Sequence, residues 1–135
     1  MIYLVDANVL SEPTKRSPNP KVVVWLSAHE EDLVVDSVIL GEIEIGIRTL
    51  SVGRKRAKLQ RWFEALVQTI DCLPWDAAVS RRWAQLVVEL RAKGHMLPIL
   101  DSMIAATALA HDLTLATHNV GDFQRAGVKI VDPFA

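Results

Sequence analysis

Two acidic residues follow short apolar runs of the chain, where a folded protein could use them in chemistry. Asp6 follows Ile2–Val5, and Asp122 comes shortly after Leu113–Thr117. Each has an ordinary alternative interpretation, since an aspartate favours helix N-caps and polar turns. Asp6 could equally be a cap, and Asp122 a loop residue.

Glu42 indicates a function more clearly, because it lies on the apolar rather than the polar side of a predicted helix. In the helical stretch Val38–Leu50, Glu44 and Arg48 are four residues apart and form a solvated pair. Glu42 instead falls on the apolar side, among Val38, Ile39 and Ile45. A carboxylate there needs a partner or a cation, because burying a bare charge is costly. We therefore interpret Glu42 as functional rather than as a solvent-exposed helix end.

Asp101 stands near the start of another predicted helix, which Pro98 marks. An acid in the first turn also stabilises the helix dipole, which is the alternative interpretation. The small residues of this helix would let it pack closely on a sheet and bring Asp101 towards the strand ends; they are Ala105, Ala106, Ala108 and Ala110.

Short apolar runs alternate with helical stretches along the chain. The predicted strands are Ile2–Val5, Leu33–Val35, Ile70–Leu73, Leu113–Thr117 and Val128–Val131. The predicted helices are Pro20–Ala28 with Asn19 as N-cap, Val38–Leu50, Arg54–Gln68, Asp76–Ala92 and Leu100–His111. This alternation predicts an α/β sandwich around a mainly parallel sheet. In such folds the ligand site lies beyond the carboxyl ends of the strands.

The four acids would therefore converge on one edge of the sheet. Converging carboxylates raise one another's pKa unless a cation intervenes. Oxygen ligands without soft donors favour Mg²⁺ or Mn²⁺ over Zn²⁺. Such an ion, or a pair of them, can activate water for phosphodiester hydrolysis. We expect Asp6, Glu42 and Asp101 to hold the metal, directly or through water, and Asp122 to bind a second ion or tune the first. Thr117 and Asn119 are candidates for supporting hydrogen bonds to the ligands or to phosphate.

Composition sets the remaining bounds. A length of 135 residues, half of them apolar, predicts one domain over residues 1–135. The single cysteine, Cys72, suits a reducing cytoplasm and is expected to be a buried small hydrophobe. The start of the chain has no basic leader, and no apolar run approaches the roughly 20 residues of a membrane span. A net charge of −1 argues against a sequence-blind nucleic-acid coat protein but not against a nuclease.

These acids, in this order, resemble those of the PIN-domain family, and more narrowly the VapC-like toxins of bacterial toxin–antitoxin pairs. The resemblance rests on four motifs, Leu4–Asn8, Ser37–Gly46, Pro98–Ala108 and Thr117–Phe123, of which the last two are the most specific. The early Ser11-Glu12-Pro13 is similar to the FitB branch. Two positions depart from the family pattern: Ala7 stands in place of a usual threonine, and Asp36 in place of a serine.

The resemblance implies a five-stranded, three-layer fold of strand order 3-2-1-4-5, with a crevice between the first and fourth strands. It also implies metal-dependent hydrolysis of RNA, a homodimer, and a VapB-like antitoxin that blocks the site. In such pairs operator DNA is bound only through the antitoxin.

Two groups of residues have no assigned role in the site. A basic cluster after Gly53 could steer a phosphate backbone, but a solvated helix start is the favoured interpretation; it consists of Arg54, Lys55, Arg56, Lys58 and Arg61. The four tryptophans are expected to pack in the core or at an interface rather than to stack on bases.

Three other functions remain open from the sequence. A receiver-like signalling domain would also place acids and Mg²⁺ at strand ends, but it needs an acid pair after the first strand and a lysine after the last. Here Asp6 is followed by Ala7 and Asn8, and Lys129 lies inside the last predicted strand. A catalytically silent RNA- or partner-binding module and a structure-specific DNA nuclease are the other two.

Overall fold

A computed structural model describes residues 1–135, and its strands all belong to one parallel sheet. The strands are β1 (Tyr3–Val5), β2 (Leu33–Asp36), β3 (Asp71–Leu73), β4 (Thr114–Ala116) and β5 (Ile130–Val131). The helices are α1 (Ala7–Leu10), α2 (Pro20–Ala28), α3 (Ser37–Arg48), α4 (Arg54–Thr69), α5 (Ala77–Ala92), α6 (Ile99–Ala110) and α7 (Val120–Arg125). Two 3₁₀ turns, Glu12–Thr14 and Glu30–Asp32, complete the regular structure.

The strand order is β3-β2-β1-β4-β5, as the resemblance implied. All four pairings are parallel, so the predicted mainly parallel sheet is in fact entirely parallel. A receiver-type fold has the order 2-1-3-4-5. The topology therefore does not match the receiver-like alternative.

Helices cover both faces of the central strands. Successive residues of a strand point to opposite faces, and both Leu4 and Val5 are fully buried. Val34 and Val35 in β2, and Leu115 and Ala116 in β4, are buried in the same way. Two-sided burial explains why these strands appear in the sequence as unbroken apolar runs.

The helix N-termini show why the elements begin where they do. Asn19 caps α2 by accepting from the amide of Lys21, with Pro20 at the first helical position, as predicted. Asp76 lies outside the helix it was expected to start, and caps α5 by accepting from the amide of Val79.

The structure corrects the expectation for Cys72, which is exposed rather than buried. The residue lies in β3, at the edge of the sheet, where Asp71 is exposed as well. An edge strand lacks a neighbour on one side, so a short apolar run there does not imply burial.

No helix of the structure is both long enough and apolar enough to cross a lipid bilayer.

Candidate metal centre

Asp6 follows β1 at the switch point of the sheet, where β1 lies between β2 on one side and β4 on the other. It does cap α1, because Oδ1 accepts from the amide of Ala7 at 2.8 Å. Its other oxygen, Oδ2, accepts from the Thr117 hydroxyl at 2.7 Å and the Asn8 amide at 3.1 Å. Burial raises the pKa of Asp6, while these three hydrogen bonds oppose that rise. The cap and the site interpretation therefore both fit this residue.

Thr117 and Asn119 connect the acids that lie near β4. Thr117 is fully buried, and its hydroxyl donates to Asp6 and accepts from the backbone amide of Asn119 at 3.0 Å. The Asn119 side-chain amide lies 3.3 Å from Asp101 Oδ2 and 3.3 Å from Asp122 Oδ2, donating to both. One amide group thus bridges two carboxylates from different helices.

Asp122 lies in the first turn of α7, not in the loop that its surroundings suggested. The helix begins directly after Asn119 and packs its Phe123 side chain into the core with no exposed surface. A buried phenylalanine next in sequence holds the Asp122 backbone at the sheet edge.

Asp101 lies in the first turn of α6, as predicted. Burial raises its pKa, the charges of Asp6 and Asp122 raise it further, and the hydrogen bond from Asn119 lowers it. The next residue, Ser102, is buried, donates to the carbonyl of Ile99 at 2.6 Å and accepts from the Trp83 indole at 2.9 Å. That contact ties the start of α6 to α5.

Glu42 projects from α3 and is only partly buried. One of its oxygens, Oε1, is nevertheless shielded from solvent and has no hydrogen-bond partner. Burial, followed by the charges of Asp6, Asp101 and Asp36, raises the pKa of Glu42 from its usual 4.5 to about 7. The predicted apolar surroundings are only partly correct, since Ile39 is fully buried but Ile45 is 60% exposed.

Asp36 adds a fifth carboxylate to this edge of the sheet. It ends β2, caps α3 by accepting from the amide of Ile39 at 2.8 Å, and is 2% exposed. Burial raises its pKa, hydrogen bonds from Ile39, Thr107 and Val38 lower it, and the charge of Asp6 raises it slightly. Its Oδ2 atom is buried without a partner at full hydrogen-bond geometry. In the sequence, Asp36 stands out as a departure from the family pattern, but its capping of α3 was not predicted.

None of these five carboxylates forms an ion pair with a lysine, arginine or histidine. They come from five segments of the chain. The charges of Asp6, Asp101 and Asp36 raise the pKa of Glu42, and those of Asp6 and Asp122 raise the pKa of Asp101. No group of three or more His, Cys, Asp or Glu side chains lies close enough together to hold a metal ion as the side chains stand. The cluster is thus an open group of acids with uncompensated charge.

The donor set suits a hard divalent cation. Such ions take carboxylate and amide oxygens, and thiol or imidazole ligands are not needed. Oε1 of Glu42 is a buried oxygen to which no group of the protein donates a hydrogen bond. Burial is the main cause of the raised pKa of Glu42 and Asp101, and a cation would offset both the burial and the added repulsion from the neighbouring acids.

Asn8 is the residue that sequence reasoning missed. Its side-chain amide donates to Asp6, while its side-chain oxygen accepts from the backbone amide of His118 at 3.2 Å. This residue therefore joins the loop after β1 to the loop after β4. Its place two residues beyond a strand-terminal aspartate was the available signal.

Comparison with known proteins gives a consistent result. Residues 3–129 match the PIN domain family. The chain is 34% identical over 137 aligned positions to "Toxin FitB" of Neisseria gonorrhoeae, covering 98% of this chain and 99% of that protein. It is 31% identical to "VapC ribonuclease Y4jK" of Sinorhizobium fredii, covering 98% of each. Among solved structures, FitAB bound to a DNA fragment superposes with a TM-score of 0.91 at 32% identity, over 99% of this chain and 96% of that one.

Proposed function

The chain belongs to the PIN-domain family, and on that premise we propose that it is a divalent-metal-dependent endoribonuclease, the toxin of a VapC-type toxin–antitoxin pair. One observation carries the proposal: five carboxylates lie near the switch point of the sheet, and none of them is paired with a cationic side chain. A nuclease that relies on metal ions needs such a cluster.

Asp6, Glu42 and Asp101 would hold the ion, and Asp122 would bind a second ion or tune the first. When bound, Mg²⁺ or Mn²⁺ supplies a Lewis acid and lowers the pKa of water for attack on a phosphodiester. Thr117 keeps Asp6 in one orientation through its 2.7 Å hydrogen bond. Asn119 sets the spacing of Asp101 and Asp122, because its amide donates to both.

The relatives suggest what the protein assembles with. FitB is named a toxin, and the FitAB complex was solved on DNA. For this chain we propose an antitoxin of the VapB type that covers the carboxylates, a homodimer, operator DNA bound through the antitoxin, and a cytoplasmic location. We treat residues 1–135 as one nuclease domain.

The test is cleavage by purified protein of single-stranded RNA and DNA in Mg²⁺, in Mn²⁺ and in EDTA. RNA cleavage that requires the added ion supports the proposal. Asp6→Asn and Asp101→Asn should abolish it with melting temperatures near that of the wild type. Asp71→Asn is the matched control, because Asp71 is exposed at the start of β3, the opposite end of the strand from the carboxylate cluster.

Three results would contradict the proposal. Undiminished activity in Asp6→Asn would remove the assigned site. Cleavage of DNA but not RNA would favour the structure-specific DNA nuclease. RNA binding without any cleavage would favour the silent binding module.

A further inference from the structure

An open groove of about 1000 Å³ runs beside the carboxylate cluster and meets it at Glu42. Its walls come from α1 and the segment after it on one side, and from α3 and α4 on the other. Asp6, Asp101 and Asp122 do not line the groove. The groove is therefore an approach to the cluster rather than the cluster itself.

The walls of the groove are strongly basic. Five of its sixteen lining residues are cationic, and Glu42 is the one acid among them; the cations are Lys15, Arg16, Arg54, Lys55 and Lys58. Lys15 pairs with Glu12 at 2.8 Å. The other four form no ion pair in the structure. Four positive charges without an ion-pair partner thus line this groove, although the net charge of the protein is −1.

Helix stability does not explain the cations of α4. Arg54 and Lys55 lie in its first turn, where the helix dipole disfavours positive charge, and that turn contains no acid. No side chain caps this end either. Two cations in the first turn are unfavourable for the helix itself. Describing Arg54 and Lys55 as an ordinary solvated helix start therefore does not explain why they are there.

The groove also has an apolar wall that an unpaired base could contact. Trp62 of α4 is partly exposed and lines it together with Ile43, Ile47 and Leu59. Bases of a duplex are stacked on one another, whereas those of a single strand are free to contact aromatic surfaces. A groove wall that is cationic in one part and apolar in another suits a single-stranded nucleic acid, because its phosphates are negatively charged and its bases are unpaired.

We infer that this groove binds single-stranded RNA, with Arg16, Arg54, Lys55 and Lys58 contacting backbone phosphates and leading the strand to Glu42. The inference rests on the proposed ribonuclease function and deepens it. An acidic protein segment would match the charge as well. The continuity of the groove with the carboxylate cluster favours the RNA substrate, because a strand held there reaches the site where cleavage is proposed.

The test measures binding of a single-stranded oligoribonucleotide to the full-length protein in EDTA, over a series of NaCl concentrations. The double variant Lys55→Gln/Lys58→Gln removes two groove cations. Its control is Arg61→Gln/Arg81→Gln, which removes two exposed cations outside the groove, one of them on α4 itself. Both variants change the net charge equally. Melting temperatures establish that each variant is folded.

The groove variant should bind RNA several-fold more weakly than the control. Each lost phosphate contact reduces the slope of log affinity against log salt by about 0.7, so two contacts reduce it by about 1.4. In Mg²⁺ the same variant should raise KM for RNA cleavage while kcat stays close to that of the wild type.

Equal losses in the groove variant and the control would overturn the inference, since net charge alone would then explain binding. Unchanged RNA binding together with lost binding of a hexaglutamate peptide would overturn it as well and assign the groove to a protein segment. In either case metal-dependent cleavage by the wild type would leave the proposed function standing. A wild type that binds RNA through the groove but never cleaves it would instead refute the proposed function.

Discussion

Replacing Glu42 by glutamine should stabilise the metal-free protein at high pH, although it removes a proposed metal ligand. In the folded state the pKa of Glu42 is about 7, against an ordinary value of 4.5. The unfolded chain therefore releases this proton at lower pH than the folded protein does. Stability is lost as the pH rises from about 4.5 to about 7, and the full penalty persists above that range.

The structure sets the size of this penalty. At about 1.36 kcal/mol per pH unit, the difference between 4.5 and about 7 gives an upper limit of about 3.4 kcal/mol. Glu42 is only partly buried, so solvent weakens both the effect of burial and the repulsion, and we expect a penalty of roughly 1–2 kcal/mol. Glutamine keeps the shape of the side chain but carries no charge.

Urea unfolding in EDTA at pH 4 and pH 8 provides the measurement. Relative to the wild type, Glu42→Gln should gain roughly 1–2 kcal/mol on going from pH 4 to pH 8. Glu44→Gln is the control on the same helix: it breaks the 2.9 Å exposed pair with Arg48 and should cost about 0.3–0.5 kcal/mol at pH 8. Mg²⁺ should stabilise the wild type more than Glu42→Gln, because a ligand stabilises the state that binds it.

The reasoning would be refuted if the difference in unfolding free energy between Glu42→Gln and the wild type were the same at pH 4 and at pH 8. That result would mean that neither burial nor the charges of Asp6, Asp101 and Asp36 penalise the ionised form of Glu42. A cation at the cluster would then have no unfavourable charge at Glu42 to offset.

Other predictions concern the residues that hold the acids in place. Thr117→Val removes one of the two hydrogen bonds to Asp6 Oδ2 and leaves the backbone amide of Asn119 without its partner; urea unfolding should show a loss of about 1–3 kcal/mol, and RNA cleavage should fall. Trp83→Phe removes the 2.9 Å hydrogen bond to the Ser102 hydroxyl; we expect a loss of about 0.5–1.5 kcal/mol in the same assay. Phe123→Ala empties a fully buried site beside Asp122 and should cost about 3–5 kcal/mol by thermal or urea unfolding. An unchanged stability in any of the three would show that the contact concerned contributes little.

Periodicity and capping residues predicted most of the fold. Asn19 and Pro20 located the start of α2, and the unbroken apolar runs located the central strands. Strand ends were less certain: Leu113 and Val128 were included but lie outside β4 and β5. Ends defined by hydrogen bonds rarely coincide with the ends of an apolar run.

What sequence could not supply was the environment of single side chains. The apolar character of Cys72 suggested burial, but the order of strands places β3 at an edge, and local pattern does not encode strand order. The strand order itself came from the resemblance to the PIN-domain family. The bridge from Asn119 to Asp101 and Asp122 depends on the packing of α6 against α7, which no spacing along the chain reveals.

The hydrogen bond between Thr117 and Asp6 spans 111 residues of sequence. It can form only after β4 has paired beside β1 at the centre of the sheet, which closes a very long loop. Before that pairing, the acids are dispersed along a flexible chain and do not form the carboxylate cluster. A fragment or a partly folded intermediate would therefore offer no site for a divalent ion, and the proposed ion binding would arise only with the completed tertiary structure.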